Sequence, residues 1–135
     1  MTKRSKFGIG ICVGGILIAF SILMIHFLTY GIFLGNVIGY DFNQFVKTHN
    51  AQAIEKVTQQ PLVTKYLVQH RTDKLIEYPD VQGTTRSGGL YVVGAYRKSM
   101  VTLTAQLDAK HSNFLLPCYN IVKVDVIPPG INSGT

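Results

Sequence analysis

The alternation of apolar and polar positions divides the chain into three stretches. Residues 9–33 read IGICVGGILIAFSILMIHFLTYGIF, and no Asp, Glu, Lys or Arg occurs between Lys6 and Asp41. As a helix rising about 1.5 Å per residue, this run measures roughly 37 Å, against about 30 Å of hydrocarbon in a bilayer. A lone segment in lipid must satisfy its own backbone hydrogen bonds, which leaves only a helix. A transmembrane helix is therefore predicted over 7–34.

The period then changes. Phe42, Phe45, Val46, His49, Ala53, Ile54 and Val57 recur at helical spacing, which predicts a helix over 42–58, interrupted near Asn50. Asp41 followed by Gln44 has the form of a capping box at its start. Pro61 suits a first helical turn, where its missing N–H costs least, and a short second helix is expected to run to Gln69. Gly31, Gly35 and Gly39 lie four apart. The spacing is read as a flexible exit from the membrane, with 35–41 as linker; a helix-packing ridge is the alternative.

Beyond His70 the period becomes two. A short strand is expected over 74–78. Turn chemistry is expected at Pro79-Asp80-Val81-Gln82-Gly83 and again at Arg86-Ser87-Gly88-Gly89. Strands are predicted over 90–96, 99–107 and 119–127. In the second, Val101, Leu103, Ala105 and Leu107 face one way and Met100, Thr102, Thr104 and Gln106 the other. In the third, Val122, Val124 and Val126 are assigned inward, Lys123 and Asp125 outward. One polar face marks an antiparallel sheet covered on one side. The covering layer must be the preceding helices. The predicted fold is thus a single-pass transmembrane helix plus a small α+β domain, with N-terminal helices packed on a three- to four-stranded antiparallel sheet. Its segments are a basic tail (1–6), the transmembrane helix (7–34), the exit linker (35–41), the extramembrane domain (42–128) and a flexible tail (129–135).

Charge adds an orientation. The chain has 135 residues and a formal net charge of +6, with 13 Lys and Arg against seven Asp and Glu. Lys3, Arg4 and Lys6 precede the apolar run, and positive charge is retained on the cytoplasmic or matrix side. The expected location is an inner membrane, bacterial cytoplasmic or mitochondrial, with the N-terminus inside and the domain outside. A cleaved signal would have an apolar core of about 7–15 residues and an A-x-A-like site; this run is longer and no such site follows Ala19. The remaining cations are dispersed and form no basic block interleaved with aromatics, so nucleic acid is not an expected partner; the lipid bilayer is.

Candidate chemistry is sparse. No G-x-S-x-G, H-E-x-x-H, P-loop or dinucleotide glycine fingerprint occurs. His26, His49, His70 and His111 have no zinc-like spacing with each other or with a cysteine. His70-Arg71-Thr72-Asp73 reads as a polar loop. Cys12 and Cys118 are too far apart along the chain to be expected within disulfide reach, and Cys118 is expected to be a packing residue, with intermolecular pairing or thiol chemistry as alternatives. No catalytic residue, cofactor, metal site or small-molecule substrate is predicted. Two candidate surfaces remain. Gly8, Cys12, Gly15, Ala19, His26 and Thr29 fall on one line of the membrane helix and form a candidate docking stripe: small residues permit close approach and polar ones bond across the contact. A snorkelling His26 among ordinary membrane-helix glycines is the alternative. The second is a sheet interface through Tyr91 and Tyr96, with 90–96 as an edge strand able to pair with another chain; an ordinary solvated strand is the preferred reading.

The order of basic N-terminus, single transmembrane helix, the helix Ala51-Gln-Ala-Ile-Glu-Lys-Val-Thr-Gln-Gln-Pro61-Leu-Val-Thr-Lys-Tyr-Leu67 and glycine-punctuated strands ending near Val126 resembles the cytochrome c oxidase assembly factor 1 family, whose domain is shared with an inner-membrane subunit of the mitochondrial presequence translocase. The stretch around Pro61 matches best. The chain departs from the family where Val68, rather than glycine, follows Leu67, and it has no tryptophan before its last strand. The resemblance implies a non-catalytic assembly or scaffolding factor that docks onto integral membrane proteins during respiratory-complex assembly, and it transfers no catalytic residues. A structural subunit of an envelope complex such as a secretion system is the alternative, and a membrane-anchored thiol or redox protein a more distant one.

Overall fold

The computed structural model describes residues 3–127. Its elements are α1 (Lys3–Phe27), a π-helical turn (Leu28–Ile32), α2 (Leu34–Thr48), α3 (Ala51–Thr58), α4 (Pro61–Gln69) and strands β1 (Glu77–Thr84), β2 (Leu90–Tyr96), β3 (Ser99–Leu107) and β4 (Tyr119–Ile127). The protein is one long apolar N-terminal helix joined to a small α+β domain in which helices cover one face of a four-stranded antiparallel sheet. The helical stretch Lys3–Ile32 is long and apolar enough to cross a membrane. The helix begins at Lys3, so the cations assigned to a basic tail already belong to its first turns. The expected tail over 129–135 lies outside the described residues.

No residue of α1 is buried. Burial starts with α2, where Gly35, Ile38, Gly39, Phe42 and Val46 form one stripe against the sheet. Removing side chains such as Ile38 and Phe42 from water contributes about 1.5–3 kcal/mol each. The expected exit linker over 35–41 is therefore wrong: these residues are helical. Gly35 and Gly39 are a packing ridge. A Cβ on Gly35 would lie 2.3 Å from the carbonyl oxygen of Pro79, and one on Gly39 2.9 Å from the Pro79 ring. Their glycines let α2 come down directly on β1.

The expected break near Asn50 is present. Asn50 is the N-cap of α3, its side chain accepting from the Ala53 amide at 2.9 Å. Pro61 opens α4 at its first turn. The buried hydroxyls of Thr58 and Thr64, 2.6 Å apart, tie the two short helices together. The capping box at Asp41 does not form, because Asp41 lies inside α2. Its carboxylate reaches across to accept from the Tyr119 amide at 2.8 Å.

The strands follow one another in the order β1-β2-β3-β4, every neighbour antiparallel. β2 and β3 pair without interruption from Leu90↔Ala105 to Tyr96↔Ser99. The expected turn at residues 79–83 is instead part of β1, whose pairing with β2 shifts register twice. A proline and a glycine are tolerated there because β1 is an edge strand with irregular pairing. The second expected turn exists, with Gly88 at φ +84°. In β3 the inward assignments of Val101, Leu103 and Ala105 are correct, whereas Leu107 is half exposed. In β4 the phase differs from expectation. Thr104 pairs with Lys123 but Ala105 with Ile121, so Val122 is the extra residue of a bulge. Tyr119, Ile121 and Val124 are consequently buried and Val122 is exposed.

Candidate functional site

Two of the residues singled out from sequence, His26 and Thr29, meet the β3–β4 connection at the C-terminal end of the long helix. That connection, residues 108–118, is closed at its neck. The Asp108 amide donates to the Cys118 carbonyl at 2.8 Å. The Cys118 amide donates to the Ser112 hydroxyl at 2.8 Å. Asp108 also accepts from the amides of Lys110 and His111 and lies 2.6 Å from the His111 ring; the His111 bond holds its carboxyl below the usual range. Pro117 is fully buried beneath the neck.

The tip of the loop, Asn113-Phe114-Leu115-Leu116, rests on the helix. The Tyr30 hydroxyl donates to the Asn113 carbonyl. His26 Nδ1 bonds the Phe114 carbonyl, and since a carbonyl only accepts, Nδ1 is the donor. The Thr29 hydroxyl lies 2.6 Å from the Leu115 carbonyl, closer than to the helical carbonyls of Ile25 and His26. The Asn113 amide donates to the Leu116 carbonyl at 3.0 Å. The Asn113 side chain accepts from the amides of Leu115 and Leu116 at 2.9 and 2.8 Å. The His26 ring stacks on the Phe114 ring, centroids 4.1 Å apart and planes 9° from parallel. Phe114, Leu115 and Leu116 nevertheless keep 53%, 38% and 55% of their surface exposed.

The six-residue stripe thus divides. Gly8, Cys12, Gly15 and Ala19 lie along the exposed length of α1, and a Cβ on Gly8 or Gly15 would meet nothing within 4 Å. His26 and Thr29 are engaged within the chain by the loop tip, and not left free for a partner as the stripe implied.

Tyr91 and Tyr96 are not one surface. Tyr91 is 40% exposed on the outer face of the sheet, where it borders a depression of about 310 Å³ with Thr102, Thr104, Lys123 and Asp125. Tyr96 is buried, its hydroxyl donating to Asp73. Burial and that hydrogen bond push its pKa up to about 12. Arg97 lies over the Tyr96 ring, 5.3 Å from its centroid, and bridges Asp73 at 3.5 Å. Strand β2, expected as an edge, is interior; the edges are β1 and β4.

Cys12 and Cys118 are both free thiols. Burial, and secondarily the carboxylates of Asp41 and Asp108, push the Cys118 thiol up, away from the reactive thiolate. Burial likewise raises Asp41, with the Tyr119 amide acting in the opposite sense. Among the described residues, no three His, Cys, Asp or Glu side chains come together as a metal site.

Sequence reasoning missed the loop tip. Its signal was an apolar triplet, Phe114-Leu115-Leu116, in an otherwise polar connection; its contact with residues 26–30 is long-range and left no local trace. No family model matches the chain, and no curated protein or solved structure matches it.

Proposed function

We propose that the protein is a single-pass membrane protein with its N-terminus inside and its α+β domain on the outer side of an inner membrane, and that it acts as a non-catalytic assembly or scaffolding factor docking onto partner membrane proteins. The observation that carries the reading is the change of environment along one helical column. From Lys3 to Phe27 nothing is buried, and from Gly35 onward one face is core. An apolar column with no protein against it needs lipid or a partner helix around it. The small residues Gly8, Cys12, Gly15 and Ala19 let such a helix approach closely. The resemblance to the cytochrome c oxidase assembly factor 1 family supports biogenesis of a respiratory complex as the setting. The raised pKa of Cys118 weighs against the thiol-enzyme alternative.

The test is purification of the tagged full-length chain in mild detergent. Substoichiometric association with membrane-complex subunits, weakened by Gly15→Leu with Ala19→Leu, is the expected result. Stable one-to-one presence in a mature complex would favour the structural-subunit reading instead. Recovery of the intact chain in the aqueous fraction, or trimmed after Ala19, would overturn both.

A further inference from the structure

We propose that the loop tip Asn113-Phe114-Leu115-Leu116 is a second membrane-contacting element, a foot that seats its three apolar side chains in the outer interfacial layer of the lipid bilayer beside the membrane helix. The proposal rests on the membrane-anchored reading and adds a site to it.

Three observations converge. The first is depth. His26 follows Lys6 by twenty residues, about 30 Å along a helix axis, which is the thickness of the hydrocarbon core. With Lys6 at the inner boundary, residues 26–30 lie at the outer one. The loop tip is hydrogen-bonded to this turn and shares its depth.

The second is backbone chemistry. Irregular backbone is tolerated at such a depth only when its polar groups are satisfied by protein. All four carbonyls from Asn113 to Leu116 have protein partners: Tyr30, His26, Thr29 and the Asn113 amide. Three of the four amides are engaged as well, that of Asn113 with the Leu116 carbonyl and those of Leu115 and Leu116 with the Asn113 side chain. A loop facing water could leave these bonds to water. This one takes them from the very side chains that make the span polar, which gives His26 and Thr29 a use within the chain.

The third is the outward surface. Phe114, Leu115 and Leu116 are three consecutive large apolar side chains, all substantially exposed, at the tip of a loop whose neck carries Lys110 and His111. The apolar tip continues the exposed apolar surface of the span, and the polar neck follows above it. Apolar side chains in the acyl boundary with a cation, Lys110, toward the headgroups is the arrangement of an interfacial anchor.

The chain contains no tryptophan, so a single one introduced as a probe reports alone. Full-length protein carrying Phe114→Trp, or separately Leu116→Trp, which leaves the His26 stack intact, is reconstituted into phosphatidylcholine vesicles. Phe20→Trp, in the exposed middle of α1, serves as reference. Expected for both loop variants are blue-shifted emission, loss of intensity with lipids brominated high on the acyl chain, weaker loss with lipids brominated near the chain terminus, and protection from aqueous iodide. Phe20→Trp should show the opposite bromine preference. If Phe20→Trp is quenched by lipid while both loop probes emit as in water and are quenched by iodide, the foot is wrong and the anchor stands. Blue emission from the loop probes without bromine quenching means protein covers the tip, and also overturns the foot. If no probe, including Phe20→Trp, is quenched by lipid, the anchor itself fails and the foot falls with it.

Discussion

The two halves of the long N-terminal helical column use the same residue for opposite ends. In α1, Gly8, Gly10, Gly14 and Gly15 face open space. In α2, Gly35 and Gly39 are pressed against Pro79 so closely that a single added carbon collides with it. In the lower half, glycine is a vacant approach surface; in the upper half, it is an approach already completed. The large side chains follow the same division. Phe20 is 61% exposed and Phe42 is fully buried. What a residue is worth in this molecule therefore depends on which side of the π-turn it occupies.

The largest expected effect is at the buried aromatic. Phe42→Ala should cost about 3–5 kcal/mol of domain stability, whereas Phe20→Ala should leave the unfolding of the domain in detergent unchanged. Chemical denaturation followed by near-ultraviolet circular dichroism measures both, and equal effects would erase the distinction between the halves. Next is the glycine contrast. Gly35→Ala drives a Cβ into the backbone of Pro79 and should cost about 1–3 kcal/mol, as overpacking does. Gly15→Ala should leave domain stability unaltered, and a loss equal to that at Gly35 would show that the lower face is packed after all.

The smallest effect concerns Asp41, on the upper half. Its carboxyl is raised by burial from 3.8, so the folded state holds its proton to higher pH than the unfolded state does. Stability from this group is then greatest at low pH and declines as pH rises from 3.8 through the raised value. Asp41→Asn keeps an acceptor for the Tyr119 amide. The variant should be at least as stable as the parent at neutral pH, and its pH profile should lack that decline. Thermal melts across this range read the difference; a parallel decline in the variant would assign it to another group.

The sequence was most legible where local chemistry and tertiary role agree. The apolar run, the break near Asn50, Pro61 opening α4, and the strands over 90–96, 99–107 and 119–127 all announce themselves within a few residues. It was least legible where a residue has two uses. Pro79 through Gly83 carries turn composition, but at an edge strand the missing amide costs little and the composition survives. Gly35 and Gly39 read as flexibility and serve contact. Asp41 and Gln44 have capping spacing, yet the carboxylate is taken by a strand 78 residues further on. At Val122 a bulge reverses the alternation, so a strict period of two assigned the wrong valine to the interior. At the candidate site, His26 and Thr29 were visible as polar residues in an apolar run. Their partners were not, because they come from the far end of the chain.

The π-turn Leu28–Ile32 fixes the azimuth of the whole domain. Each residue of a helix advances the chain by about 100° around its axis. Rewinding these five residues as ordinary α-helix, with none removed, would swivel everything after them by roughly that angle. The apolar loop would then point away from His26. The π winding of these five positions is accordingly what seats the loop on His26, and substitutions that restore α winding there at unchanged length should unseat it.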